Sequence, residues 1–341
     1  MIEILTSGVA LGVHVPGLLL ADRLRERGVP VGVSVLERLL PESKLATTAT
    51  MKFAFHRNFR VALAGQKVAG SPADSVDPVA VAALFADWRA RGVDRVVVFS
   101  GFWLPLLAGY DCEIDVCHVD SVESPSFTKT VTDLDVRHVR LADAEAGTIP
   151  CSIPVSTEPP VPWAEREQRV FLHGGGWGMG TYRERVGELL EHGLRLDVIA
   201  YEGRDVTAEG VRYFMVDPEW HPWLDNGYPP FGQVLADGST QFARSQGHHG
   251  SFDLTRAAMA TVSKPGGGTL LDSLWSATPA VLLEPFGAHE QRNADLWCAL
   301  GFGIPFDTWR ESGFDPELLR PLHEALLKAD IPDYAEELAR R

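Results

Sequence analysis

Short apolar runs alternate along the chain with stretches of helical spacing. Residues 2–5 form the first run, and a glycine-containing loop is predicted from Ser7 to His14. Leu18, Leu19, Leu20, Ala21 and Leu24 then recur at helical spacing up to Arg27 and Gly28. A second strand is predicted over Val31 to Leu36, a helix over Val79 to Arg91 and a third strand over Val96 to Phe99. Unbroken runs of this kind suit parallel strands buried on both faces.

The segment Ser156-Thr157-Glu158-Pro159-Pro160-Val161-Pro162 breaks the alternation, because proline continues neither a helix nor an inner strand. The pattern then restarts. Val170 to Leu172 reads as strand, Gly174 to Gly180 as turn, Tyr182 to His192 as helix, and Leu196 to Tyr201 and Val211 to Val216 as strands. A helix is predicted over Leu254 to Ala260, another over Leu270 to Trp275, a strand over Ala280 to Leu283 and a helix over Gln291 to Leu300. Between them Asp217 to Gly250 reads as a long aromatic loop of a functional kind. Strands alternating with helices imply β-α-β units and open, mostly parallel sheets. The expected architecture is α/β with two Rossmann-like domains, residues 1–155 and 167–341, joined by a linker over 156–166.

Length agrees, since 341 residues exceed what one core usually supports. Hydrophobic and charged contents of 45% and 23% are those of a globular enzyme. A net charge of -15, with no basic run, argues against nucleic acid and anionic membrane as partners. No apolar run approaches the eighteen or so residues of a membrane span, and the first residues lack a basic leader, so a cytoplasmic location is expected. Cys112, Cys117, Cys151 and Cys298 fit no metal-ligand spacing and are expected to be reduced.

Two glycine-rich turns carry the candidate chemistry. Gly174-Gly175-Gly176-Trp177-Gly178 and Lys264-Pro265-Gly266-Gly267-Gly268-Thr269 each lie between an apolar strand and a helix. There free amides and the helix dipole favour an anion, at the sheet edge where open α/β folds bind ligands. A single such turn equally serves tight strand-to-helix packing. No Walker-type loop is present, and Gly8-Val9-Ala10-Leu11-Gly12 does not match the dinucleotide fingerprint.

The run Ser263 to Asp272, followed by Thr278 to Pro285 and Glu290-Gln291-Arg292-Asn293-Ala294, resembles the donor-binding signature of GT-B glycosyltransferases, in particular UDP-glycosyltransferases and the peptidoglycan N-acetylglucosaminyltransferase group. The resemblance implies that Gly266 to Thr269 hold a diphosphate, Asp272 the ribose, and Glu290 with Gln291 the sugar; Lys264, just ahead of the glycines, is a candidate to neutralise the diphosphate, with a solvated strand-end lysine as the alternative. Asp272 stands where the family usually has Glu, and Glu290 where plant members have Asp. Gly12 to Ala21 resembles the family's first turn, in which a His stands just ahead of a Pro-started helix.

By that resemblance His14 is the base that deprotonates the acceptor; a helix-entry His that merely packs is the alternative. The family's partner Asp is replaced by Ser100, with Asp115 and Asp120 as other candidates. An acidic acceptor, a phenol or nitrogen heterocycle, would lessen the need for such a partner. Phe53 and Arg57, in a stretch of mixed cations and aromatics, are acceptor candidates, with an amphipathic surface helix as the equal alternative. Trp177 stacks on a base or packs in the core. Paired His248 and His249 read as a loop pair without metal.

The implied activity is an inverting, metal-independent transfer of a sugar from a UDP- or dTDP-sugar, a substrate rather than a cofactor, to a small-molecule acceptor of specialised metabolism. Similarity to the cytosylglucuronic acid synthase type adds UDP-glucuronate and cytosine as one such pair, with Arg57, Arg60 or Arg292 to meet the carboxylate. The rival readings are a UDP-sugar 2-epimerase and a non-catalytic subunit that holds nucleotide sugar.

Overall fold

A computed structural model describes residues 1–8, 11–68, 72–130 and 132–341. The first half carries β1 (Ile2–Thr6), α1 (Leu11–Glu26), β2 (Val31–Val35), α2 (Glu42–Arg57), α3 (Phe59–Val68), α4 (Pro78–Arg91), β3 (Arg95–Val98), α5 (Leu104–Leu107), β4 (Glu113–His118), α6 (Pro125–Thr128) and β5 (Arg137–Arg140). The second carries β6 (Glu167–His173), α7 (Val186–Glu191), β7 (Arg195–Ala200), β8 (Arg212–Val216), β9 (Phe231–Gln233), α8 (Ser251–Ala257), β10 (Ala258–Ser263), α9 (Gly267–Ser276), β11 (Ala280–Leu282), α10 (Ala288–Ala299) and β12 (Gly303–Pro305). Three helices close the chain: α11 (Phe306–Glu311), α12 (Arg320–Leu327) and α13 (Tyr334–Ala339).

The first sheet has the order β2-β1-β3-β4-β5 and is parallel throughout. Alternation in β1 feeds two cores: Ile2 and Ile4 pack with Leu19 and Leu20 of α1, while Leu5 packs with Trp88, Val98 and Trp103 on the opposite face. The second sheet has the order β12-β11-β10-β6-β7-β8-β9, with only the β8–β9 pair antiparallel. Local signals act as expected at α4, where Asp77 accepts from Val79 N at 2.9 Å, Pro78 opens the helix and Gly92 closes it at φ 70°.

The two sheets fall on either side of the expected linker, since β5 ends at Arg140 and β6 begins at Glu167. The last helix crosses back to the first domain. Tyr334, Ala335 and Leu338 of α13 join the core of β1 and α1, and the Tyr334 hydroxyl donates to Asp115 at 3.0 Å.

Three boundaries differ from the sequence expectation. Helix α1 begins at Leu11, so His14 lies inside it and not in a preceding loop; Val9 and Ala10 of that turn lie outside the described residues. Pro16 sits within the helix, where it forfeits only the bond to the Gly12 carbonyl four residues earlier. The helix expected to reach Ala260 ends at Ala257, and Ala258 to Ser263 form a fully buried strand between β6 and β11. The Asp217 to Gly250 loop contains β9, which is followed by a small hairpin bridged at Phe231–Ala243 and Val234–Thr240, with Gly238 turning at φ 80°.

Candidate functional site

Each sheet reverses its strand order at one seam, and the seams define where a ligand fits. In the first sheet the seam lies between β1 and β3, beyond Thr6 and Phe99. In the second it lies between β6 and β10, and both glycine turns sit there. The first turns of α1 and α9 meet across the cleft: a methyl group built on Gly268 would lie 3.6 Å from Gly12 Cα. One built on Gly176 would collide with Leu11. A side chain at 268 would therefore make ordinary contact, whereas glycine at 176 is what lets the domains approach.

The sequence-predicted donor residues are brought to this seam, each with an internal partner. Gly267 N donates to Asp120 Oδ1 at 3.2 Å, and Asn293 Nδ2 donates to the same oxygen at 2.8 Å. Asp120, from the other domain, therefore occupies the amide end of α9. Lys264 is buried and ion-paired with Glu290, whose other oxygen accepts from Phe286 N at 2.6 Å. Asp272 meets His249 Nε2 at 3.0 Å, and His249 Nδ1 lies 2.9 Å from Ser251 Oγ. Burial depresses the His249 ring, but the Asp272 charge outweighs it and the group titrates above its ordinary value. Gln291 is exposed and donates to Asp295 at 2.8 Å, one turn along α10. Thr269 is buried.

The Gly174 to Gly178 turn is packed rather than open. Trp177 is buried against Phe55 of α2, ring centroids 5.7 Å apart, and the Tyr201 hydroxyl donates to the Gly175 carbonyl. Gly175 and Gly178 have φ of 69° and 59°, which explains the glycines by conformation alone. Across the domain boundary His56 Nδ1 lies 2.9 Å from the Gly178 carbonyl, and His56 Nε2 lies 2.8 Å from Asp205. Arg183 donates to Asp205 at 2.7 Å and to the His56 carbonyl at 2.6 Å. Burial works against the Asp205 charge, yet the bonds from His56 and from two backbone amides hold its carboxyl well below the usual range. This cluster docks the end of α2 on the second domain, and Arg57 reinforces it through Glu202 at 2.5 Å. In the sequence His56 is visible only as one member of the stretch of mixed cations and aromatics around Phe53 and Arg57, and Asp205 and Arg183 carry no local signal.

His14 is fully buried. Its Nδ1 lies 3.0 Å from Thr6 Oγ1, and its Nε2 has no partner among the described residues. Burial, helped by Arg38, pushes the ring down to about 3, against the opposing pull of Asp225. The candidate carboxylates are committed elsewhere, Asp115 to Arg137 and Tyr334, Asp120 to α9. Ser100 is buried at the end of β3, where its carbonyl accepts from Trp103 N at 3.1 Å. Phe53 lies 6.0 Å from both Lys52 and Arg57, on α2.

What covers His14 comes from the aromatic segment of the second domain. Trp220 lies 6.2 Å from the imidazole, ring to ring, and Arg38 grips the segment through the carbonyls of Trp223 at 3.1 Å and Asp225 at 2.7 Å. Tyr228 donates to Asp22 of α1 at 2.8 Å. A recess of about 350 Å³, counting space open to solvent, is left between Gly8, Leu11, one face of α2, Trp177 and residues 220–223. His248 pairs with Asp253 at 2.9 Å; among the described residues no group of three or more His, Cys, Asp or Glu is placed to hold a metal ion. Among the described residues no helix is long and apolar enough to cross a membrane.

Two mostly parallel seamed sheets facing across a cleft, closed by a helix returning to the first domain, make the GT-B fold. Solved structures of that fold superpose along the whole chain. The glycosyltransferase SsfS6 of Streptomyces sp. SF2575, complexed with thymidine diphosphate, gives a TM-score of 0.59 at 14% identity, covering 100% of this chain and 98% of that one. SnogD, a glycosyltransferase from Streptomyces nogalater, gives 0.55 at 17%, covering 99% and 97%. MurG of Acinetobacter baumannii gives 0.52 at 11%, covering 99% and 98%. At such identities the likeness is one of fold. No protein-family model matches the chain, and no curated protein matches it by sequence.

Proposed function

We propose that the protein transfers a sugar from a UDP- or dTDP-sugar to a small-molecule acceptor in the cytoplasm, by direct displacement with inversion. The observation that carries this reading is the meeting of α1 and α9 in the cleft, which brings the helix that carries His14, whose Nε2 has no partner among the described residues, to an amide end suited to diphosphate. The donor's phosphates displace Asp120 from Gly267 N, and Lys264 and the first amides of α9 stabilise the departing diphosphate, electrostatic work that proceeds without a metal. His14 Nε2 takes the acceptor proton once the Trp220 segment has moved aside. Because Nδ1 faces a neutral hydroxyl and not a carboxylate, the ring is a weak base, which favours an acceptor that is itself acidic. Glucuronate as the sugar and cytosine as the acceptor fit this pattern. The thymidine diphosphate complex of SsfS6 supports a pyrimidine diphosphate donor.

A thermal-shift panel of UDP, dTDP and their sugars tests the donor half. Ligand at a hundred times its Kd should add about 2.7 kcal/mol of stability. Stabilisation by none of them would remove the reading. With a donor in hand, His14→Ala should keep binding and lose turnover. Conversion of UDP-N-acetylglucosamine without acceptor would point instead to a 2-epimerase, and binding without turnover, indifferent to His14→Ala, to a carrier subunit.

A further inference from the structure

The recess beside His14 has one charged wall. Lys52 of α2 lines it together with Thr48 and Ala49 on the same helix face, opposite Trp177, Trp220 and Trp223. Among the described residues the Lys52 ammonium has no hydrogen bond and no ion pair; the neighbouring ring of Phe53 is 6.0 Å away. The charges that act on it are Asp217, at the start of the aromatic segment, and, on the other side of the balance, its own burial, which lowers its affinity for a proton. His221 faces it too and is itself disfavoured as a cation by burial and then by Lys52. Every other basic group proposed for the cleft is spoken for or outside the recess: Lys264 by Glu290, Arg57 by Glu202, Arg38 by the carbonyls of Trp223 and Asp225, Arg60 exposed and not among the lining residues, and Arg292 exposed beside the Ala144 carbonyl.

A half-buried ammonium left without a partner in an aromatic recess is a selection device, since an uncharged occupant would leave it unpaired and a monoanion would not. The remaining walls are flat: His221 stacks on Trp223 at 4.6 Å and 11°, and Trp220 closes the side toward His14. A diphosphate carries more charge than one lysine balances and has the amides of α9 available. We infer that Lys52 is a specificity-determining residue that receives the carboxylate of a reactant seated in this recess, which Trp220 divides from His14. The inference rests on the transfer reading above. The carboxylate belongs either to a flat acceptor or to the sugar of a uronate donor.

Both sources are tested on the full-length protein. Quenching of tryptophan fluorescence gives the affinities of 1-naphthoate and its neutral isostere 1-naphthamide, and thermal shift gives those of UDP-glucuronate and UDP-glucose. The carboxylate member of one pair should bind about tenfold tighter. Lys52→Met should abolish that preference and Lys52→Arg should retain it. Preference within the naphthyl pair places the carboxylate on the acceptor; preference within the nucleotide pair places it on the donor. No preference in either pair, or a preference that survives Lys52→Met, overturns the inference. Failure of UDP and dTDP alone to bind the wild-type protein is the separate outcome that removes the underlying reading.

Discussion

The most direct physical test concerns the charge state of His14. Its ring is fully buried and, among the described residues, its Nδ1 is met by a threonine hydroxyl and its Nε2 by no partner, so the folded protein holds it neutral down to about pH 3. In the unfolded chain the same ring takes a proton near 6.5. Between those values the unfolded state binds a proton that the folded state refuses, and stability therefore falls as pH falls. At pH 5 the gap is one and a half units below the unfolded value, worth about 2 kcal/mol for this single group. His118 and His173 are likewise pushed down to about 3 and add losses of the same sign, so a single pH profile does not isolate His14. A paired profile does. Urea unfolding of the wild type and of His14→Asn, at pH 7.5 and pH 5, should show the wild type losing about 2 kcal/mol more than the variant over that interval, whatever the variant costs at neutral pH. Parallel profiles would mean that the imidazole reaches water or a proton donor, and the neutral, poised base of the proposed mechanism would go with it.

Three further outcomes follow from the same geometry. Asp205→Asn leaves His56 and Arg183 without their buried acceptor and should destabilise by about 3 kcal/mol, read by urea unfolding; the wild-type contribution is present above the ordinary carboxylate pKa and is lost as pH falls through the depressed one. The raised His249 works in the opposite sense: its pairing with Asp272 is complete below about pH 6.5 and fades as pH rises through the folded value, so the stability gap between wild type and Asp272→Asn should be wider at pH 6 than at pH 8.5 in thermal melts. Gly178→Ala combines a left-handed backbone with a methyl group driven into the Tyr201 ring and to 2.6 Å from His56 Nδ1, and should cost roughly 2 to 3 kcal/mol by calorimetry.

How much of this was legible depends on where each signal resides. The parallel sheets announce themselves because the middles of strands, Val96 to Val98 in β3 and Val170 to Leu172 in β6, are buried and must be apolar without interruption. The misplaced end of α8 has the same origin. Ala258, Met259 and Ala260 are good helix formers, and only their burial between β6 and β11 turns them into strand, a tertiary override that no local reading detects. Pro16 misled in the other direction: its preference for a first helical turn placed the start of α1 too late, although the helix tolerates it one turn further in. The small hairpin after β9 was readable in Asp237-Gly238, whose glycine adopts the positive φ that such turns require.

The glycine turns were visible in the sequence and their occupants were not, for a reason that bears on function. Gly267, Lys264 and Asp272 resemble parts of a nucleotide-sugar cradle, yet each is matched by a group remote in sequence: Asp120 on the Gly267 amide, Glu290 on Lys264, His249 on Asp272. Empty, a buried cradle of unpaired amides and charges would cost several kcal/mol. Pairing each of them internally removes that cost and turns ligand binding into an exchange of partners. A donor then gains only the difference between its own bonds and those it replaces. Because Asp120 belongs to the first domain and Gly267 to the second, the exchange at α9 also releases one tie between the domains. On the proposed reading, donor binding and cleft geometry are thereby coupled through one carboxylate.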